Sequence, residues 1–280
     1  MPFTELFDET LDINATENYE LSVTAASDGL SFAILDSLRS KFVLIRSFEP
    51  DEGKNFTAEK ISEIIAKDDF LLRRYKKIVI QTPSRKSTII PAALYDPGKK
   101  DSYFNFNHMG DPGQVILANR ISDPPSYVVF QVPEALTEVL DRHYPGITLY
   151  HHTKPLLWYA FRRSRPVDGN YIQVHVERDF FTLVIIASDA LKFCNSFIYR
   201  NVSDIMYYVL NAFKQLNISQ EETIRFSGRS GKYDDISSGF SAWIRNISFC
   251  EPYGNNSFSY VFNETELQRY LNLFNSLSCE

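Results

Sequence analysis

Two stretches of the chain, Tyr19 to Thr82 and Tyr171 to Phe226, follow one plan of three short strands, a helix and a fourth strand. A plan that occurs twice constrains the fold more than any single motif, because each unit must bury the same faces in the same order. In the later stretch, Tyr171-Ile172-Gln173-Val174-His175-Val176-Glu177 alternates apolar with polar residues, the period of a strand with one face on a core. Phe180 to Ala187 and Leu191 to Tyr199 continue the pattern, with tight breaks at Arg178-Asp179 and Ser188-Asp189-Ala190, so an antiparallel meander is the shortest connection. Val202, Ile205, Met206, Val209, Leu210, Phe213 and Leu216 then recur at helical steps behind a cap at Asn201 or Ser203. Thr223 to Phe226 is the fourth strand and runs into the loop Ser227-Gly228-Arg229-Ser230-Gly231.

The earlier stretch has the same order. Tyr19 to Ala26, Ser31 to Ser37 and Lys41 to Phe48 are its three strands, the first two joined through Asp28-Gly29, a dipeptide suited to a type I′ hairpin turn. A helical segment capped by Thr57 carries Ile61, Ile64, Ile65, Phe70, Leu71 and Leu72, and Lys77 to Gln81 is the fourth strand before Pro83. Residue identity between the halves is negligible, so the repeat is one of pattern.

Composition bounds the function. The 280 residues suit two domains of moderate size, and 44% hydrophobic residues suffice for a sizeable core. A net charge of -6 argues against broad nucleic-acid binding, and the largest basic cluster, Arg162-Arg163-Ser164-Arg165, sits in a crossover between the halves. No apolar run reaches bilayer length, and Met1 to Asn18 is acidic and lacks a signal peptide's regions. The expectation is a cytoplasmic protein without membrane insertion. Cys194, Cys250 and Cys279 are odd in number and widely spaced, which favours isolated thiols over a disulfide framework or a zinc site. In a chain read as cytoplasmic, the Asn-x-Ser/Thr triplets are chance occurrences, and Asn201 is better used as a helix cap.

The region between the two units reads differently. Pro91 to Asp123 has turn signals at Asp96-Pro97-Gly98 and Asp111-Pro112-Gly113 and is read as a small inserted subdomain, with Gln114 to Ile121 as a strand. Ser126 to Val132 is another strand. Pro133 takes the first position of a helix through Arg142, Ile147 to Tyr150 is a short strand, and Pro155 opens a further helix. Tyr103-Phe104-Asn105-Phe106 reads either as core or as part of an interface. Glu264 to Leu277 closes the chain as one helix with a single apolar stripe.

Common catalytic motifs are missing. Gly231-Lys232 lacks the earlier glycine of a phosphate loop, no G-x-G-x-x-G follows a strand, and Gly228-Arg229-Ser230-Gly231 is not a nucleophile elbow. His151 and His152, as neighbours on a strand, are expected on opposite sides of it with no third metal ligand, and His175 lies on the polar face of its strand. Glu177 and Asp179 form a carboxylate pair that turns in globular proteins usually leave solvated.

Two such units, with an insertion in the first and a closing helix, resemble the actin-like ATPase superfamily that includes actin, sugar kinases and Hsp70. The chain as a whole is similar to a Bacteroidetes family of unknown function assigned to that fold. The resemblance implies an α/β protein of duplicated, ribonuclease H-like design with mixed sheets. It implies a first lobe over residues 1–165 with an inserted subdomain near 91–150, and a second over 166–280 with the closing helix. It also implies where ATP and Mg2+ would bind, since active members hold phosphate and metal at the first hairpin of each half. Those positions here are Asp28 and Gly29 in the first half and Glu177 and Asp179 in the second, with Gly228, Arg229 and Gly231 on the adenosine side. The second hairpin has no glycine, so close approach of its backbone to a phosphate is hindered. The resemblance therefore leaves two readings: a degenerate, non-catalytic scaffold that binds an unidentified protein partner, or an atypical ATPase or small-molecule kinase using the interlobe cleft.

Overall fold

The computed structural model describes residues 2–228, 233–241, 243–263 and 265–279, with the side chains of 233–235 and 237 left aside. The first lobe runs β1 (Thr4–Phe7), β2 (Tyr19–Ala26), β3 (Gly29–Asp36), β4 (Lys41–Phe48), α1 (Ala58–Lys67) and β5 (Lys77–Thr82). An insertion follows, with β6 (Ser87–Pro91), α2 (Lys100–Asn107), β7 (Gln114–Ile121) and β8 (Ser126–Pro133). The chain returns through α3 (Glu134–His143) and β9 (Leu149–His151) and crosses over on α4 (Thr153–Ser164). The second lobe comprises β10 (Asn170–Val176), β11 (Phe180–Ala187), β12 (Ala190–Ile198), α5 (Val202–Leu216), β13 (Thr223–Gly228), α6 (Tyr233–Ser241) and β14 (Asn246–Phe249), and the chain ends with β15 (Ser257–Phe258) and α7 (Leu271–Asn275).

The two main sheets have one topology. The order β4-β3-β2-β5-β9 in the first lobe matches β12-β11-β10-β13-β14 in the second, antiparallel through the meander and parallel thereafter. Even the irregularity is shared. Ile34 pairs with Leu44 and Leu35 with Phe42, leaving Val43 as an extra residue, while Ile185 pairs with Phe193 and Ile186 with Leu191, leaving Lys192. Both bulges fall at the same step of the second hairpin, where they add twist to the sheet. The duplication expected from the pattern is therefore a duplication of register.

Layers form on each sheet. Apolar residues of β2 and β3 pack with Ile61 and Ile65 of α1 and Leu136 and Leu140 of α3 on one face of the first sheet. Ala33, Leu35, Phe42 and Ile45 on the other face meet Phe262, Tyr270, Leu273, Phe274 and Leu277 of the C-terminal segment. The second sheet buries one face beneath Ile205, Val209 and Phe213 of α5, while Tyr171, Val184 and Ile186 on its other face join Leu156, Leu157 and Phe161 of α4. Each such large side chain taken out of water contributes roughly 1.5–3 kcal/mol, and this is what holds the lobes against α4. In the insertion, the sheet β6-β8-β7 packs Ile90 and Val129 on Phe104 of α2, while Phe106, two residues on, is 88% exposed.

Local chemistry explains most boundaries. Thr57 caps α1 by accepting from Lys60 N at 3.2 Å, and Asn201 and Asp204 form a capping box on α5. The helix expected to extend to Leu72 stops at Lys67, because the Asp68 carboxylate accepts from the backbone N–H groups of Phe70 and Leu71 and folds the chain into a turn. Phe70 and Leu71 are buried from that turn, not from a helix. The Asp28-Gly29 hairpin is not of type I′, since Ala26 pairs with Gly29 and only Gly29 takes a positive φ, of 151°. The type I′ geometry occurs at Ser188 and Asp189, with φ of 50° and 55°, between β11 and β12. Pro133 stands at the cap of α3, one residue before its expected place, and α4 begins two residues ahead of Pro155. The single closing helix expected over 264–277 is broken into 3-10 turns around a five-residue α7, with Tyr270 at a non-helical φ of -109° and ψ of 18°.

Candidate functional site

The tips of β2–β3 and β10–β11 carry the expected acids. Asp28 sits in the two-residue turn between Ala26 and Gly29, and Asp179 takes the matching place in the turn that Glu177 N closes on Phe180 O at 2.8 Å. Tyr199 senses the charge of both turns. Burial pushes the Tyr199 phenol up to about 12, and the carboxylates of Glu177, Asp179 and Asp28 add to that shift. The Tyr199 hydroxyl donates to Glu177 O at 2.7 Å. Asp28, Glu177 and Asp179, from two hairpins far apart in sequence, thus all act electrostatically on one phenol.

Arg178 bridges the mouth of the cleft. Its guanidinium donates to Lys54 O at 3.1 Å and to Asn55 Oδ1, both on the first lobe, while also meeting Asp179. Arg178 was read from sequence only as part of a tight turn.

Glu177 turns inward, and it is 6% exposed. Its Oε1 lies 3.1 Å from His175 Nε2, and His175 Nδ1 lies 3.0 Å from Ser227 Oγ. Asn272, from α7, donates to His175 Nε2 at 3.0 Å and to the His152 carbonyl at 3.2 Å. His152 accepts from Ser84 N on Nδ1, which leaves Nε2 to donate to Thr182 Oγ1 at 3.0 Å. The floor of the cleft is therefore one buried polar network drawn from β10, β11, β13, the start of α4 and α7.

The histidines correct the sequence reading. His151 ends β9, but His152 is already in helical conformation, with φ of -55° and ψ of -26°, so strand alternation no longer separates them and their rings lie 4.3 Å apart. Burial holds His151 down to about 4, against a partial offset from the Ser84 carbonyl, and holds His152 well below its ordinary value, with His151 and His175 adding to the effect. His175 does lie on the polar face of its strand, yet that face is buried against the C-terminal segment. Ser227, His175 and Glu177 imitate a serine triad in sequence of contacts, but Ser227 is fully buried and its Oγ already accepts from Gln173 Nε2 at 2.9 Å, so no substrate reaches it.

Between the sheets lies a cavity of about 30 Å3, lined among others by Thr24, Ser31, Gln81, His152, Glu177, Arg269 and Asn272. Gln81 Oε1, Glu177 Oε2, Asn272 Oδ1 and Arg269 Nε are buried there without a hydrogen-bond partner among the described residues. That volume admits about one water molecule, far below the roughly 300 Å3 at which small-molecule pockets begin. Arg269 is itself anchored by Glu49 Oε1 at 2.5 Å, so the C-terminal segment ties the cavity wall to the first lobe.

The glycine positions divide. Gly228 ends β13 with φ of 98°, and a Cβ there would stand 2.1 Å from Val176 O, so strand packing alone requires glycine. Gly29 is buried at the start of β3. Arg229 and Gly231 lie outside the described residues. Among the described residues no three His, Cys, Asp or Glu side chains are grouped so as to hold a metal ion. Gln81, Asn272 and Arg269 carry no sequence signal beyond polarity inside otherwise apolar segments, and His152 stands out in the sequence only as a candidate metal ligand without a third partner.

A family model described as "Protein of unknown function (DUF3822)" matches residues 8–247. Among solved structures, a Bacteroides thetaiotaomicron VPI-5482 protein described as having an actin-like ATPase fold and unknown function superposes with a TM-score of 0.82 at 20% identity, over 97% of this chain and 100% of that one. A chain of the PilM-PilN type IV pilus biogenesis complex superposes with a TM-score of 0.59 at 11% identity, over 93% of this chain and 97% of that one. No curated protein matches the chain. These likenesses concern the fold.

Proposed function

The chain belongs to this family of unknown function and has the duplicated actin-like fold, and from that footing we propose that it is a non-catalytic member, a protein-interaction or scaffold module. The observation that carries the reading is the closed cleft: the space between the sheets is a cavity of about 30 Å3 that Glu177 lines from the second hairpin and whose floor is occupied by His152, His175 and Asn272. A nucleotide would have to displace this network and leave its buried polar groups unpaired, at about 1–3 kcal/mol each. The fold also occurs in a chain of the PilM-PilN complex, which supports a role in protein assembly. We place the protein in the cytoplasm, with a protein partner in preference to nucleic acid or membrane; no helix among the described residues is long and apolar enough to cross a bilayer.

A second reading draws on the electrostatic influence of Asp28, Glu177 and Asp179 on the Tyr199 phenol. In it the lobes part, Arg178 releases residues 54 and 55, and the acids hold Mg2+ and ATP for hydrolysis or phosphoryl transfer. Thermal-shift titration with ATP, ADP and Mg2+ separates the two. The scaffold reading expects no shift at millimolar nucleotide. A saturable, Mg2+-dependent rise in melting temperature that disappears in Asp28→Ala would replace it with the ATP-binding one.

A further inference from the structure

The edges of the two matching sheets are treated differently. In the first lobe, β4 is covered along its outer edge by two pieces of the chain: β1 pairs antiparallel with residues 44–47, and β15 pairs parallel with 41–42. The changeover falls at the bulge, where Asp8 N donates to Val43 O at 2.8 Å. In the second lobe the counterpart strand, β12, ends its sheet, and among the described residues no strand lies along its outer side. Because the bulges align Val43 with Lys192, the counterpart of the segment that β1 covers is Phe193 to Ser196.

We propose that this edge pairs with β12 of a second copy of the chain, antiparallel across a two-fold axis through Asn195, joining two five-stranded sheets into one. A nine-residue strand with one charge and, among the described residues, no strand along its outer edge is a template for strand addition, and the first lobe shows that a bulged strand of this kind accepts an edge partner. The Ser196 N–H takes the side chain of its neighbour, Asn195 Oδ1, at 2.9 Å, a local substitute that a partner carbonyl would replace. In the two-fold register Phe193 faces Phe197 of the other copy, Cys194 faces Ser196, Asn195 faces itself and Lys192 faces Ile198, so no like charges are opposed. Phe193 and Phe197 already stack at 6.2 Å, and the register extends this pair into a four-ring ladder. Ile198, the last residue of this strand, is 54% exposed and supplies apolar surface to cover.

The inference is independent of whether the cleft binds nucleotide. Sedimentation of the full chain is expected to give twice the monomer mass, and Ser196→Pro, which removes an outward backbone donor together with the Ser196 Oγ contact to Thr182 Oγ1 on β11, is expected to halve it. Should Ser196→Pro lose its folded circular dichroism, Asn195→Lys replaces it, placing two ammonium groups face to face at the axis. Asn195→Cys is expected to form a disulfide-linked dimer under mild oxidation, because opposed residues of a non-hydrogen-bonded pair lie about 4.5 Å apart between Cα atoms. The native thiols give little background, since burial pushes Cys194 up to about 12 and Cys250 up to about 11, and Cys279 is buried. A monomeric wild type with no cross-link in Asn195→Cys overturns the proposal and leaves the edge to a foreign strand. A dimer that persists in the edge variants overturns it too, placing the contact elsewhere.

Discussion

Asn272 on α7 and His175 on β10 are joined by a hydrogen bond of 3.0 Å although 97 positions separate them, and the same amide reaches the His152 carbonyl where the chain crosses between lobes. The C-terminal segment thus acts as a cross-tie at the floor of the cleft. Asn272→Leu keeps the volume but leaves His175 and the His152 carbonyl short of a donor. We expect a loss of about 1–3 kcal/mol in urea unfolding, and a variant as stable as the parent would show that the tie carries no weight.

Gly228→Ala tests whether that glycine belongs to packing. The added methyl would meet Val176 O at 2.1 Å on a backbone already at φ of 98°. The expected cost is about 2–4 kcal/mol in equilibrium unfolding, with or without nucleotide present. Near-parent stability would mean that β10 and β13 separate easily at their ends.

Arg178→Ala should separate local from global stability. Its contacts with Lys54 O and Asn55 Oδ1 are solvent-exposed, so the global change is expected within about 1 kcal/mol. The local effect is larger. Phe56 N–H, which donates to Ser27 O at 2.6 Å beside that contact, should exchange faster in hydrogen–deuterium exchange, while the amides of β2 and β3 keep their protection. Unchanged exchange at Phe56 would show that the bridge does not hold the mouth closed.

Acid should weaken the fold through the paired histidines. His151 and His152 are neutral when folded, with affinities for protons lowered by burial, whereas the unfolded imidazoles take up protons near 6.5. The unfolded state therefore binds more protons as pH falls, and stability present above about pH 6.5 is lost toward about pH 4. His151 alone accounts for about 3 kcal/mol over that window. Urea titrations between pH 7 and pH 4 should show this slope, and His151→Gln should flatten it; equal slopes would assign the loss to other groups.

Much of the fold was written locally. The bounds Tyr19–Ala26, Lys41–Phe48, Gln114–Ile121 and Phe180–Ala187 are those that short apolar stretches between turn signals mark out, and the caps at Thr57 and Asn201 stand where their side chains were expected to act. A strand's period or a helix's first turn depends on neighbours within a few residues, so one sequence carries it. The short edge strands β1, β6, β14 and β15 escaped notice because two to five residues hold too little period to recognise.

The candidate site was legible only in part. Asp28, Glu177 and Asp179 were marked by the resemblance of the two hairpins, and their shared electrostatic influence on Tyr199 follows from the way the lobes pack. Gln81, His152, His175, Arg269 and Asn272 gave no comparable signal, since each has a function only through a partner on another element. Sequence by itself determined the two meanders, their helices and their shared order, because those rest on local periodicity. Tertiary structure alone decided that the cleft is closed, that α7 ties its floor and that β12 is left uncovered, because those are long-range pairings set by burial and by where the ends of the chain come to rest.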